Sequence, residues 1–544
     1  MLPSDPVPPA ADLPPGAAAD AAPPPSASGA ALVAELQRRF HARGVHTQLI
    51  ETHLSWVLLA GAHAYKLKKP VHWPFVDYST LQARQHGCEE ELRLNRRLAP
   101  WLYEAVLPLR QGRIGPTFRG QGAVLEWVLQ MHRMPAGALA SQRLAQGLLT
   151  RADLQRLATR LAAFHERAGV VPAHSSLGSA ARVLADAQQV LRSLQALQPE
   201  HAQACAVLWR WFEQRCSGRP GERFAARQAA GRVRDGHGDL HLDNVIVLEH
   251  DCTTFDCIEF DPALRCIDVM ADIGFLVMDL QAHGRRDLAY AFLNAYLENC
   301  GDYAGLSVLR DYLVYRALVR ALVASLREQQ HVTAAALPAL AYLQLAQRLS
   351  EEEAPRLLIT HGLPGSGKTH LSQQVLERAG AVRLRSDVER KRCAATPSSE
   401  AGPAADAAGE GEPPGLYGQA ATERTYARLF KLARGSLQAG FATVIDAAFL
   451  QRWQRDAARA LARRMKLPFT VLSCRAPMSL LRQRLRQRAA EGLDASDADL
   501  AVLARVVMLQ QPLADDEVAS AIQVETAKPV PVATLVSQWL LAQP

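Results

Sequence analysis

The period of the hydrophobic positions changes twice along this chain, and each change marks a change of architecture. Short apolar runs come first: HTQLIET (46–52), SWVLLA (55–60) and AYKLK (64–68), separated by brief breaks, which predicts a β-meander. A helical pattern over 85–98 and another strand-like run, GAVLEWVLQM (122–131), follow. The spacing then becomes helical: Leu154, Leu157, Leu161 and Phe164 recur on one face, as do Leu309, Leu313, Ala317, Leu318 and Leu322 further on. After Leu349 the acidic stretch SEEEAPR marks a boundary. Beyond it RLLIT (356–360), AVRLR (381–385), FATVI (441–445), FTVLS (469–473) and AIQVE (521–525) read as buried strands with helices between them, one helix covering 368–378. Strands alternating with helices imply a parallel sheet. The expectation is an α+β domain, β-rich and then helical, over 30–350, followed by an α/β domain over 351–544.

Two stretches fall outside this pattern. Residues 1–29 are almost entirely Pro, Ala, Ser, Gly and Asp, too few apolar groups to offset chain entropy, and are expected to form a disordered arm. Residues 394–415 (AATPSSEAGPAADAAGEGEPPG) read as a flexible insertion in the second domain. The rest has the balance of an ordinary globular protein, 49% hydrophobic and 21% charged. The net charge of +7 is spread through an Arg-rich chain. It is compatible with phosphorylated small molecules or nucleic acid as partners and selects neither. The 9 cysteines form no C-x-x-C pair, and no secretory signal or membrane-spanning run is evident, so reduced thiols and a cytoplasmic location are expected.

Candidate chemistry sits in two places. HGDLHLDN (237–244) fits His-x-Asp-x-x-x-x-Asn, the catalytic-loop pattern of protein-kinase-like enzymes. Phosphoryl transfer asks a protein mainly to position groups and neutralise charge. Asp239 is placed to orient or deprotonate an acceptor hydroxyl, Asn244 to reach a magnesium ion, and Asp256, in TFDCIEFD, to supply a second metal ligand. A hairpin, with Val245–Val247 as its first strand and Thr253–Phe255 as its second, would return Asp256 to the site. Lys66, in A-x-K of AYKLK, is the preferred lysine for the nucleotide phosphates; Lys68 points the same way by alternation and stays as the alternative. Its acidic partner is sought among Glu89, Glu90 and Glu91, with Glu91 preferred.

HGDLHLDN, FDCIEFD and IDVMADIGF together resemble the aminoglycoside phosphotransferase branch of the protein-kinase-like superfamily. The resemblance implies a two-lobed fold, Asp239 as catalytic base, and Asn244 and Asp256 as magnesium ligands, with His237 and Asp272 holding the loop by hydrogen bonds. The first lobe departs from protein kinases: AGAHA at 60–64 stands where a G-x-G-x-x-G would cover the phosphates.

The other place is GLPGSGKT, which fits the Walker A pattern as Gly362, Leu363, Pro364, Gly365, Ser366, Gly367, Lys368 and Thr369. A Gly-rich loop between strand and helix turns backbone N–H groups towards an anion at the positive end of the helix. Lys368 would reach the β- and γ-phosphates, the Thr369 hydroxyl would ligate magnesium, and Asp446, ending FATVI, is the Walker B carboxylate. RSDVERKR adds Asp387 and Arg390 as D-x-x-R, which resembles P-loop kinases of the polynucleotide 5′-kinase and zeta-toxin-like sugar-nucleotide kinase group. That resemblance makes Asp387 a candidate base and Arg390 a candidate acceptor ligand. In LLRQRLRQRAAEG, Arg484 and Arg488 are the candidate lid arginines.

AYKLKKPV, ELRLNRRLAP, HGDLHLDN, FDCIEFD, GLPGSGKT and RSDVERKR, in this order over 45–540, resemble bacterial bifunctional aminoglycoside phosphotransferase/ATP-binding proteins. The reading is therefore a kinase with two ATP sites, dependent on ATP and Mg2+, acting on hydroxyls of small or nucleotide-like acceptors. A polynucleotide-kinase-like end-processing enzyme and a regulatory protein that only senses ATP at one site are the alternatives. Nucleic acid is the less favoured partner, and no membrane partner is expected.

Overall fold

The computed structural model describes residues 27–73, 76–329, 337–351, 355–395, 418–491 and 500–543. The insertion expected at 394–415 lies, apart from its first residues, outside them, as does the arm up to residue 26. A helix, Ala27–His41, already occupies the last residues assigned to the arm. The chain divides into two compact units, the first reaching Pro135 and including Glu259–Asp261, the second comprising Ala136–Ile258 and Pro262 onwards.

The first unit is built on a six-stranded antiparallel sheet in the order β1-β2-β3-β6-β4-β5. Its strands are β1 (Thr47–Glu51), β2 (Ser55–Ala60), β3 (His63–Lys68), β4 (Tyr103–Gly112), β5 (Gly115–Thr117) and β6 (Val124–His132). The predicted meander is β1–β3, and the AGAHA stretch is the β2–β3 turn. Trp56, Leu58, Leu67, Leu109 and Val128 form one buried face, covered by Val33 and Leu36 of the first helix. The helix expected over 85–98 spans Leu81–Asn95; it starts earlier because Thr80 caps it, its hydroxyl accepting from the Ala83 N–H. β4 has no counterpart in the sequence reading. It contains Pro108, which argues against an inner strand, but β5 pairs with it only at Arg110–Gly112, so the proline lies where β4 is an edge.

The second unit contains two folds. The first is helical, and its core holds Leu154, Leu157, Leu161 and Phe164 of the Arg151–Arg167 helix, as their spacing predicts. Val269–Ala282 is buried over nearly its whole length, and Leu306–Gln329 packs beside it. A short hairpin of β7 (Val245–Val247) and β8 (Cys252–Thr254) follows the candidate catalytic loop, 237–244. The second fold is a five-stranded parallel sheet, order β10-β11-β9-β12-β13, from β9 (Leu357–His361), β10 (Val382–Arg385), β11 (Thr443–Asp446), β12 (Phe469–Arg475) and β13 (Ala521–Glu525). The central strands β9 and β11 are buried at every position, which is why they read as continuous apolar runs. The helical fold's last helix ends at Ser350 and β9 begins at Leu357, and both folds belong to one compact unit.

Candidate active sites

In the first unit, β-strand alternation sends Lys66 and Lys68 to the same face, and the helix opposite presents Glu91. Glu91 is fully buried and accepts from both lysines, Lys66 Nζ at 2.7 Å on one oxygen and Lys68 Nζ at 2.7 Å on the other. Glu89 and Glu90 are engaged on the helix surface, with Gln85 and Arg93. Burial alone would raise the Glu91 pKa, but the two ammonium groups outweigh it and hold it down to about 2. Lys68 has a second carboxylate, Glu259, at 2.5 Å, which also accepts from the Tyr78 hydroxyl at 2.6 Å. Glu259 was not foreseen: it is 191 residues from Lys68, and nothing local in IEFD announces the contact.

In the second unit, the candidate catalytic loop, 237–244, is fixed from behind. Asp272 accepts from the backbone N–H groups of His237 (2.7 Å) and Gly238 (2.9 Å), and His165 Nε2 lies 3.1 Å from it. His237 is fully buried; its Nε2 donates to the Phe255 carbonyl at 2.9 Å and its Nδ1 accepts from the Asp239 N–H at 3.3 Å. Burial pushes its pKa down, in keeping with this neutral role. Gly238 has φ +87°, and a Cβ there would lie 2.8 Å from the Leu264 carbonyl oxygen, so the position needs glycine.

Asp239, about a third exposed, faces outward from this scaffold. Asn244 Nδ2 donates to its Oδ2 and to its carbonyl, each at 2.9 Å, and His241 Nε2 lies 3.3 Å from Oδ2. Burial opposes the charge on Asp239, but His241, His237 and Arg316 outweigh it and keep the carboxyl ionised well below the usual range. With its nitrogen engaged on Asp239, Asn244 presents its amide oxygen as the group able to ligate a cation. The Phe255 N–H donates to the Asn244 carbonyl at 3.0 Å, so the hairpin brings Asp256 back beside Asn244. Asp256 adopts φ 61°, an uncommon conformation for a residue with a side chain. Oxygen donors of this kind suit a hard cation such as Mg2+.

The Walker A loop joins β9 to the Lys368–Ala379 helix. Loops of this type turn N–H groups inward, so their carbonyls need partners elsewhere. Thr526 Oγ1 donates to the Ser366 carbonyl at 2.9 Å, and Arg484 Nη1 reaches the Gly365 carbonyl at 3.1 Å while its Nη2 reaches the Thr526 carbonyl at 2.7 Å. Arg484, expected as a lid arginine, thus braces the loop as well as lining the cleft; Arg488 lines the same cleft. Thr526 lies past the end of β13 and bears no motif, so sequence reasoning missed it. Lys368 Nζ donates to the Leu363 carbonyl at 2.9 Å; burial lowers its pKa, partly countered by Asp446. Asp446, buried at the end of β11, accepts from Ser372 Oγ at 3.1 Å.

One cleft of about 870 Å³ is lined by Gly365, Gly367, Lys368, Thr369 and Asp446, and also by Asp387, Arg390, Arg484 and Arg488. Asp387 and Arg390 are one turn apart on the helix that follows β10, with Arg390 Nη1 3.3 Å from Asp387 Oδ1. The cleft opens at the carboxyl ends of the strands beside β9, the switch point at which open parallel sheets bind ligands.

In the order of its folds, β-rich, then helical, then a parallel sheet carrying a Walker A loop, the chain follows the architecture that the sequence resemblance implied. The AAA domain family matches residues 357–513. "Uncharacterized protein Rv2004c" of Mycobacterium tuberculosis is 31% identical over 477 residues, covering 84% of this chain and 89% of that one. "Uncharacterized protein Mb2027c" of Mycobacterium bovis matches to the same extent, 31% over 477 residues. The chain belongs to the family of these proteins. Among solved structures, a sugar kinase from Janibacter sp. HTCC2649 is similar to 34% of this chain and covers 94% of its own, with 19% identity and a TM-score of 0.26. A choline/ethanolamine kinase family protein from Mesorhizobium loti is similar over 58% of this chain and 93% of its own, with 12% identity and a TM-score of 0.33. Among the described residues no helix is long and apolar enough to cross a membrane.

Proposed function

We propose that this protein is an ATP-dependent kinase with two catalytic centres, each transferring the γ-phosphoryl group of ATP to a hydroxyl of a small or nucleotide-like acceptor. In each transfer the acceptor oxygen bonds to the γ-phosphorus, the bond from that phosphorus to the β,γ-bridging oxygen breaks, and ADP leaves. Asp239 receives the acceptor proton in the kinase-like fold, and Asp387 does so in the P-loop fold. Asn244 and Asp256 in the one, and Thr369 and Asp446 in the other, would hold Mg2+, which neutralises charge on the phosphates. In the first unit Lys66, oriented by Glu91, is the phosphate-binding cation. In the P-loop fold Lys368 and the loop amides bind the phosphates, Arg390 contacts the acceptor, and Arg484 and Arg488 face the transferring group.

The observation that carries this reading is the single cleft shared by Lys368, Thr369 and Asp446 with Asp387 and Arg390. Its volume is ample for a nucleotide's phosphates together with part of an acceptor. A carboxylate–arginine pair beside the phosphate-binding loop offers a base and a cationic contact for an acceptor as well as for the nucleotide.

The test is transfer from γ-labelled ATP to a panel of metabolites and short oligonucleotides. Asp239→Ala is expected to lower one set of products by about 10²–10⁴-fold, the range for loss of a general base, and Lys368→Ala to remove the other. Both single variants retaining every product would refute the assignment. The oligonucleotide arm addresses a second reading, favoured by Trp453, Arg385 and Arg505 lining the same cleft, in which the acceptor is a nucleic-acid 5′ end. Such binding must weaken steeply with salt.

A further inference from the structure

We infer that Glu298, which belongs to the kinase-like fold, is a positioning residue of the P-loop site. The inference rests on the reading of that site as one for Mg2+ and ATP. The Arg286–Cys300 helix packs against the Lys368–Ala379 helix and against β10, the edge strand of the parallel sheet. An open edge leaves backbone groups to be satisfied. Asn294 takes two of them, donating from Nδ2 to the Ala381 carbonyl at 2.9 Å and accepting on Oδ1 from the Arg383 N–H at 2.6 Å.

One turn further along the helix, Glu298 meets the side chains of the same strand. Its Oε1 accepts from Arg383 Nη2 at 2.8 Å and Nε at 3.1 Å, and its Oε2 lies 3.6 Å from Arg385 Nη1. Arg383 and Arg385 reach the same carboxylate because alternate residues of a strand share a face. Arg385 lines the cleft. Arg383 is only 5% exposed, and its third nitrogen, Nη1, reaches Ser372 Oγ at 3.4 Å and the Thr369 carbonyl at 3.5 Å. Ser372 Oγ in turn lies 3.0 Å from that carbonyl and 3.1 Å from Asp446 Oδ2. Glu298 therefore stands two contacts behind Thr369 and three behind Asp446, the candidate metal ligands, and directly behind an arginine of the cleft wall.

Neither fold supplies this arrangement alone. Without Glu298 the buried guanidinium of Arg383 loses its carboxylate partner, and its remaining contacts are with Ser372 Oγ and the Thr369 carbonyl, beside the candidate metal ligands. Groups that orient metal ligands from behind typically change metal affinity by about 10–100-fold when removed.

The experiment uses the full-length protein and a fluorescent ATP analogue, with binding measured in Mg2+ and in EDTA. The component abolished by Lys368→Ala is the P-loop one. Glu298→Gln is expected to lower the Mg2+-dependent gain in that component by about tenfold while leaving binding in EDTA near wild type. Glu298→Asp should recover most of the loss. Asn294→Ala, which frees the strand edge but keeps the Glu298–Arg383 pair, should lower the melting temperature and leave the Mg2+ dependence in place. Should Glu298→Gln prove unfolded, Arg383→Lys, which keeps one charge but loses the fork, is expected to show the same loss. An unchanged Mg2+ dependence in folded Glu298→Gln overturns the inference, as does an equal effect from Asn294→Ala. Failure of Lys368→Ala to remove any binding component would instead overturn the reading of the site itself.

Discussion

At the scale of single residues, the two lysines of β3 look interchangeable in sequence and differ in what surrounds them. Lys68 is 1% exposed and shared between Glu91 and Glu259, with its ammonium 4.9 Å from the Tyr78 ring centre; Lys66 is 14% exposed and shares Glu91. Removing Lys68 leaves two carboxylates in its place, one fully buried. Lys68→Ala is therefore expected to destabilise the protein by about 3–5 kcal/mol, the range for breaking a buried pair, visible in a melting curve. Lys66→Ala should melt close to wild type and lose affinity for nucleotide. The reverse pattern would exchange their roles. Glu91 adds a pH dependence. Its folded pKa, about 2, lies below the ordinary 4.5, so its pairing stabilises the fold fully above pH 4.5 and is lost as pH falls towards 2. In Lys66→Ala one ammonium is gone, the Glu91 pKa rises, and acid unfolding should begin at a higher pH than in wild type. The same reasoning applies to Asp239. His241→Gln removes a group that helps hold its carboxyl ionised, so the acid limb of γ-phosphoryl transfer, measured in Lys368→Ala protein, should move to higher pH.

At the scale of elements, the β7–β8 hairpin shows what sequence patterns can and cannot convey. HGDLHLDN and FDCIEFD are separated by two triplets of strand-forming residues, VIV and CTT, and the hairpin that joins them follows from that spacing. The second strand is Cys252–Thr254, one residue earlier than expected, because the ladder ends at Val245–Thr254 and leaves Phe255 to bond Asn244. The φ of 61° at Asp256 was not legible, since Asp is tolerated there without marking it. It separates two substitutions. Asp256→Asn keeps a residue that accepts the left-handed conformation and removes the charge, so it should melt near wild type while losing Mg2+-dependent phosphoryl transfer in the kinase-like fold. Asp256→Ala should lose the same activity and also about 1–2 kcal/mol of stability. Equal melting temperatures for the two would argue against backbone strain. The parallel strands were legible for a different reason: β9 and β11 are buried on both faces and so read as unbroken apolar runs. Glu259, Glu298 and Thr526 carry no local signal at all. Their partners are brought to them by the tertiary fold, over separations as large as 191 residues.

At the scale of the whole molecule, the second unit contains a helical fold and a parallel-sheet fold joined through buried polar groups, and this decides how it can be divided. A cut after residue 350 looks natural in sequence, yet it would strip the P-loop fold of several partners at once. Arg383 would lose Glu298, the edge of β10 would lose Asn294, and the carbonyls of Glu351 and Gly440 would lose Arg310, which donates to them at 2.6 and 3.3 Å. The catalytic loop of the kinase-like fold depends on none of these. His165, which lies 2.8 Å from the Tyr296 hydroxyl, and Asp272 hold it entirely from within that fold. The two halves should therefore respond unequally to separation. Residues 27–350 are expected to keep the phosphoryl transfer that Asp239→Ala removes, whereas 351–544 should melt below the intact protein and bind nucleotide with the weakened Mg2+ dependence of Glu298→Gln. Mixing the two fragments should restore part of that dependence, because Glu298 and Asn294 are carried on one preformed helix, Arg286–Cys300. If the isolated 351–544 fragment matches the intact chain in both melting and Mg2+ response, the shared helix is packing alone and the two kinases are joined without being coupled.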